Sequence, residues 1–219
     1  MMNFTFKTRI GFSMIELVMV IVVLGILASM ALPRLDRDLR QEAADSILSA
    51  IRYTQHLAIN DNKHSITRSD WHLSLWQIRF SGTTTLSYTI GSNTDYLNNI
   101  DKNEAAIDPI TGKFIYNSVP TLPQPDESPD IFLTSKYGII NVAFTGCANS
   151  VPTALTTRHI AFDNLGRPFR GINGATNDYS RYVTSDCRIT FISPAFSNDL
   201  VIQVNKETGY AFIVDQNSS

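Results

Sequence analysis

Residues 12–32 read FSMIELVMVIVVLGILASMAL, twenty-one positions in which Glu16 carries the only charge. As a helix rising about 1.5 Å per residue, this run spans roughly 30 Å, the thickness of one bilayer core. Lys7 and Arg9 precede it, and no acid occurs among the first eleven residues. The positive-inside tendency then keeps the short N-terminus in the cytoplasm and carries the rest of the chain across the membrane. Glu16 is the discriminating residue. A charged side chain placed centrally in a lipid-embedded helix costs about 2.5–3.5 kcal/mol. Neither a plain anchor nor a secretory signal cut at Ser29-Met30-Ala31 has a use for that cost. An acid kept in such a helix points to a partner that neutralises it.

Working outward, Pro33 lacks an N–H and clashes with the preceding turn, which predicts a kink or local unwinding, and Gly25 is a second weak point. Residues 34–62 continue as an amphipathic helix and its stop. Leu35, Leu39, Ala43, Ile47, Ala50, Ile51, Thr54 and Ala58 recur at three- and four-residue spacing. Asp36 and Arg40 are placed to pair at i,i+4 on another face, and Asn60-Asp61-Asn62 supplies the stop. The period then changes to two. Strands are expected at His72–Phe80, Thr85–Ile90, Tyr137–Phe144, Arg158–Phe162, Arg188–Ile192, Leu200–Val204 and Tyr210–Val214. The last two form a hairpin through Asn205–Gly209, and Asp163–Gly166 is a further turn. Between them, residues 91–136 hold five of the nine prolines and seven acids, and read as an excursion with little regular structure. A long N-terminal helix followed by many antiparallel strands is an α+β order, the helix packing on one C-terminal antiparallel sheet within a head of residues 63–219.

At 219 residues, with 43% hydrophobic and 17% charged positions, the chain can bury a real core. A formal net charge of -2 argues against a general nucleic-acid coat. Catalysis has little support: His56, His64, His72 and His159 form no metal-ligand spacing, and no HExxH, GxSxG, P-loop or GxGxxG sequence occurs. His56 reads as a surface residue beside the helix stripe. The two cysteines, Cys147 and Cys187, lack CxxC or zinc spacing. With the head outside the cytoplasm, their natural reading is an intramolecular disulfide, whose loop closure stabilises the fold by roughly 4 kcal/mol.

The stretch GFSMIELVMVIVVLGILASMALP at 11–33 resembles the signature of type IV pilin-like prepilins. The resemblance implies a leader peptide of residues 1–11, cleavage between Gly11 and Phe12 by a prepilin peptidase, and N-methylation of Phe12. It implies that Glu16 docks against the α-amino group of a neighbouring subunit, so that two charges unfavourable in lipid neutralise each other. Pro33 falls where pilins usually carry a proline. The stretches IAFDNLGRP (160–168), RITFIS (188–193) and LVIQVNKETGYAFIV (200–214) are similar to the GspH/FimT type of minor pseudopilin, from which the excursion departs. These resemblances imply a single-pass inner-membrane protein with its head in the periplasm. An assembly platform and ATPase would then extract it into a filament with other pilin or pseudopilin subunits. The function these resemblances imply is that of a structural subunit of a type II secretion pseudopilus, with a DNA-binding minor pilin of a type IV pilus or competence system as the alternative.

Asp95, Asp101, Glu104, Asp108, Asp126, Glu127 and Asp130 supply hard oxygen ligands for calcium, which steadies some major pseudopilin heads, but their spacing matches no EF-hand and a solvated acidic loop is the plainer reading. Arg158, Arg167, Arg170, Arg181 and Arg188, with Phe169, Tyr179 and Tyr182 between them, have the residue types that hold phosphates and stack bases. Asp163, Asp178 and Asp186 reduce their local charge to +2, which favours a scattered solvated surface over a DNA site.

Overall fold

The structure, a computed structural model, describes residues 13–82, 84–97, 99–119, 122–147, 158–172 and 179–214, with the side chains of 29–38 left aside. Gly11 and Phe12 lie outside the described residues. Helix α1 (Met14–Asn60) runs unbroken through Gly25 and Pro33. The expected unwinding at the proline is absent from the backbone, since one missing N–H bends a helix without having to end it. Asp61 caps the C-terminus, its N–H donating to the Ala58 carbonyl, within the predicted stop.

Among the described residues two four-stranded sheets follow where one sheet was expected. The first has the order β2-β1-β4-β5, with β1 (Trp76–Ser81), β2 (Ser87–Gly91), β4 (His159–Phe162) and β5 (Pro168–Phe169). The second has the order β3-β6-β7-β8, with β3 (Asn141–Thr145), β6 (Cys187–Ile192), β7 (Leu200–Val204) and β8 (Ala211–Ile213). Within both sheets the described strands pair antiparallel. The C-terminal half of α1 packs on β1 and β4 of one sheet and on β7 and β8 of the other. Ala43, Ile47, Ala50, Ile51, Thr54 and Ala58 are buried there, so the small residues of the stripe let the helix approach both sheets closely. Buried apolar side chains of this kind each contribute roughly 1.5–3 kcal/mol where they are large.

Two expected strands begin late. His72 opens no strand: Trp71–Ser74 form a 3₁₀ turn with Trp71, His72 and Ser74 all buried, so the alternation there does not mark one face. Leu133–Tyr137 form the short helix α2, closed by Gly138 at φ 67°, and β3 starts only at Asn141. The left-handed glycine reverses the chain before it can extend.

Cys147, just beyond β3, is joined by a disulfide to Cys187, the first residue of β6. The bond closes the end of the ladder that pairs Thr145 with Arg188.

Candidate functional site

The first turns of α1 expose one apolar surface. Met14, Ile15, Leu17 and Val18 are more than half exposed, and every large apolar side chain from there to Leu27 remains in the open. Glu16 is also exposed and is the only acid in the first turn. Ser13 caps the helix, its Oγ accepting from the Glu16 amide at 3.3 Å. Sequence reading missed this cap, although Ser13-x-x-Glu16 is the pattern that marks a helix start. Among the described residues no helix is long and apolar enough to cross a membrane. The apolar run with described side chains ends at Ala28, and Pro33 is described only as helical backbone.

The other half of α1 is tied to the head by side chains that donate to loop and strand carbonyls. Arg40 donates from Nε to Asn198 O and from Nη2 to Asp199 O, both at 3.2 Å. It thereby anchors α1 to the loop before β7; the expected pairing with Asp36 falls on a side chain outside the described ones. Arg52 donates to Ala211 O at 2.9 Å. Gln55 Nε2 donates to both Gly166 O (2.9 Å) and Thr208 O (2.8 Å), one carbonyl from each sheet's turn.

The acidic excursion is organised from within by three of its acids, while Asp95, Asp101 and Asp126 are solvated as expected. Glu104, Asp108 and Glu127 are buried. Glu104 accepts from the amides of Thr94, Asp95 and Asp101 and from the Thr94 hydroxyl. Asp108 accepts from the Ile110 amide, the Thr111 hydroxyl and the Ser128 hydroxyl. Glu127 accepts from the amides of Ser118 and Gln124 and from the Ser118 hydroxyl. Burial acts to raise the Glu104 and Asp108 carboxyls, but these donors outweigh it and hold both below the usual carboxylate range. Each acid replaces a patch of apolar core as the point where a loop converges. The Ser and Thr residues flanking each acid were the available signal. Two short 3₁₀ turns, Lys102–Glu104 and Pro129–Ile131, add regular structure that composition had concealed.

For calcium, the group among the described residues whose donor oxygens lie close together is Asp95, Asp101 and Glu104, within 4.8 Å of one another. Glu104 already accepts four hydrogen bonds, and Asp95 Oδ1 accepts from the Leu97 amide. These oxygens already serve the loop as hydrogen-bond acceptors. Asp126 pairs with Lys102, and Asp130 with Lys136.

The five arginines are not gathered into one surface. Arg158 precedes β4 and donates to Gly82 O at 3.3 Å. Arg167, beyond the other end of β4, chelates the buried Asp163 through Nε (2.8 Å) and Nη2 (2.7 Å) and lies over the Tyr182 ring. Arg188 projects from the second sheet and donates to Gln203 Oε1 at 3.1 Å. Arg181 is half-buried in a 3₁₀ turn. Arg170 corrects the sequence reading outright: it is 0% exposed, with its guanidinium 4.1 Å from the centre of the Phe144 ring, so it links the edges of the two sheets and offers nothing to a phosphate backbone. Burial pushes it down to about 10.

No protein-family model matches the chain, and no characterised protein or solved structure was found to match it.

Proposed function

We propose that this chain is a prepilin-type minor pilin or pseudopilin, a structural subunit of a type II secretion pseudopilus assembled through its N-terminal helix. The observation that carries the reading is the division of labour along α1. Its first turns expose apolar side chains around one acid, Glu16, and its last turns are buried in an α+β head. Such a helix needs a second apolar environment for its first half, supplied by lipid before assembly and by neighbouring subunits after it. The apolar sequence continues to Leu32, long enough to insert in a bilayer core of roughly 30 Å. The head would then lie in the periplasm, where the Cys147–Cys187 disulfide is stable. The dispersal of the arginines favours a structural subunit over a DNA-binding one.

Prepilin processing is the direct test. In cells carrying a prepilin peptidase, the mature protein is expected to begin at an N-methylated Phe12, read by intact-mass and N-terminal analysis. A Gly11→Ala chain should accumulate at full length in the membrane. Normal maturation of that variant would refute the reading.

A further inference from the structure

An open groove of about 450 Å³ runs between α1 and the acidic excursion, a volume within the range of specific ligand sites. Its floor is apolar and aromatic, formed by Tyr88, Ile90, Ile115 and Tyr137, all buried. One wall carries Glu42 and Asp45, three residues apart and so on one helix face. The other carries Asp108 and Asp130. Against these four carboxylates stands, among the described lining residues, the one cation Lys136. Ile110, at the rim, is 87% exposed.

Lys136 shows what the groove accepts. Its ammonium sits 2.6 Å from Asp130 Oδ1 and 3.4 Å from Glu42 Oε1, 5.1 Å from the centre of the Tyr137 ring. Burial works against its charge, but the hydrogen bond it donates to Asp130 outweighs that and holds the ammonium above its usual range. One cation leaves the acids in excess, and the field reaches the floor: burial, then the charges of Asp130, Tyr137 and Asp108, push the Tyr88 hydroxyl up. The Tyr137 hydroxyl is fully buried on the side of the groove that holds the Lys136 ammonium. Acidic walls above an aromatic floor fit a side chain with an aliphatic stem and a positive end.

We infer that this groove is the docking site for a basic segment of a partner protein, which lays the stem of a lysine or arginine on Tyr88 and Ile115 and its charge between Glu42, Asp45 and Asp130. Exposed Ile110 then packs against an apolar neighbour on the same segment. The site stands whether or not the chain enters a filament, because it uses only the head and the buried half of α1.

The test uses the full chain in non-ionic micelles and an acetylated, amidated pentapeptide, Leu-Lys-Ala-Arg-Leu, observed by saturation-transfer NMR. Saturable binding is expected, weakened about tenfold by the double variant Glu42→Gln/Asp45→Asn. A similar loss is expected on raising salt from about 20 mM to about 500 mM. The peptide with Gln in place of Lys and Arg should not saturate. Ser49→Trp, at an exposed position lining the groove, should block binding by filling it, and this arm decides the matter if circular dichroism shows the double variant unfolded. No saturable binding, equal binding of the neutral peptide, or parental affinity in a folded variant would each overturn the proposal.

Discussion

His159 opens β4 opposite Arg79 in the ladder, with Nε2 accepting from the Ile172 amide at 3.3 Å. That bond puts the neutral ring's proton on Nδ1. Burial first, then the nearby charges of Arg79 and Arg170, push the ring down to about 3, so it folds neutral. The unfolded chain binds the proton first, near an ordinary value of about 6.5. The contribution is therefore fully present above that value and declines as pH falls from about 6.5 toward 3, by about 1.4 kcal/mol per unit. Between about pH 6.5 and 5 the chain should lose about 2 kcal/mol of unfolding free energy, measured by urea denaturation in micelles. Glu104 and Asp108, held low by their donors, release their stabilisation only below about 4.5, outside that window. A His159→Gln chain, which keeps an acceptor for Ile172, should show a clearly flatter profile. Equal slopes would assign the acid sensitivity elsewhere. Sequence alone placed His159 within a strand and left its burial unseen, because β4 is buried on both faces and its neighbours give no alternation.

Between elements, the two sheets meet α1 at Gln55. The turn of the β4–β5 hairpin offers Gly166 O and that of the β7–β8 hairpin offers Thr208 O, and the one side-chain amide donates to both. The approach is close enough to require glycine. Gly209 has φ +66° and a Cβ there would lie 2.0 Å from Gly166 O, a clash with backbone on top of a left-handed conformation. Gln55→Ala removes both bonds and should cost about 1–3 kcal/mol. Gln55→Glu should cost more, since it turns a carboxylate on two carbonyls. Chemical denaturation midpoints of the three chains check the order, and a Gln55→Glu chain as stable as the parent would show that the amide carries no linkage. The helix stripe was legible in the sequence because burial there follows a single period, and the β7 limits because Leu200–Val204 alternates cleanly with an apolar inner face. The division into two sheets was not legible. It depends on which strands pair, and the long-range partners of β1 and β6 leave no local mark.

On the scale of the whole molecule, the excursion and the helix show why composition misled and patterning did not. Acids in a proline-rich stretch suggest solvation, yet Glu104, Asp108 and Glu127 are interior hubs because nearby Ser, Thr and amide donors surround them. Glu16 has the opposite character. It is exposed and lies beside a run of exposed apolar side chains, where it costs about 2.5–3.5 kcal/mol if taken into lipid alone. Under the proposed filament role, a neighbour's amino terminus removes that cost, so assembly and not folding should depend on the carboxylate. Ser13 allows the two to be separated. Ser13→Ala removes the helix cap at about 0.5–2 kcal/mol and leaves the charge. Glu16→Ala removes the charge and keeps the backbone amide that Ser13 accepts from. Both chains should be processed and inserted normally. Glu16→Ala should fall to about a tenth or less of the parental amount in sheared, sedimented filaments, the loss expected from about 1.4 kcal/mol or more of docking energy. Ser13→Ala should sediment nearly as the parent does. Parental assembly of Glu16→Ala would leave the acid without a docking role. Equal losses in both variants would reduce it to a helix-end residue.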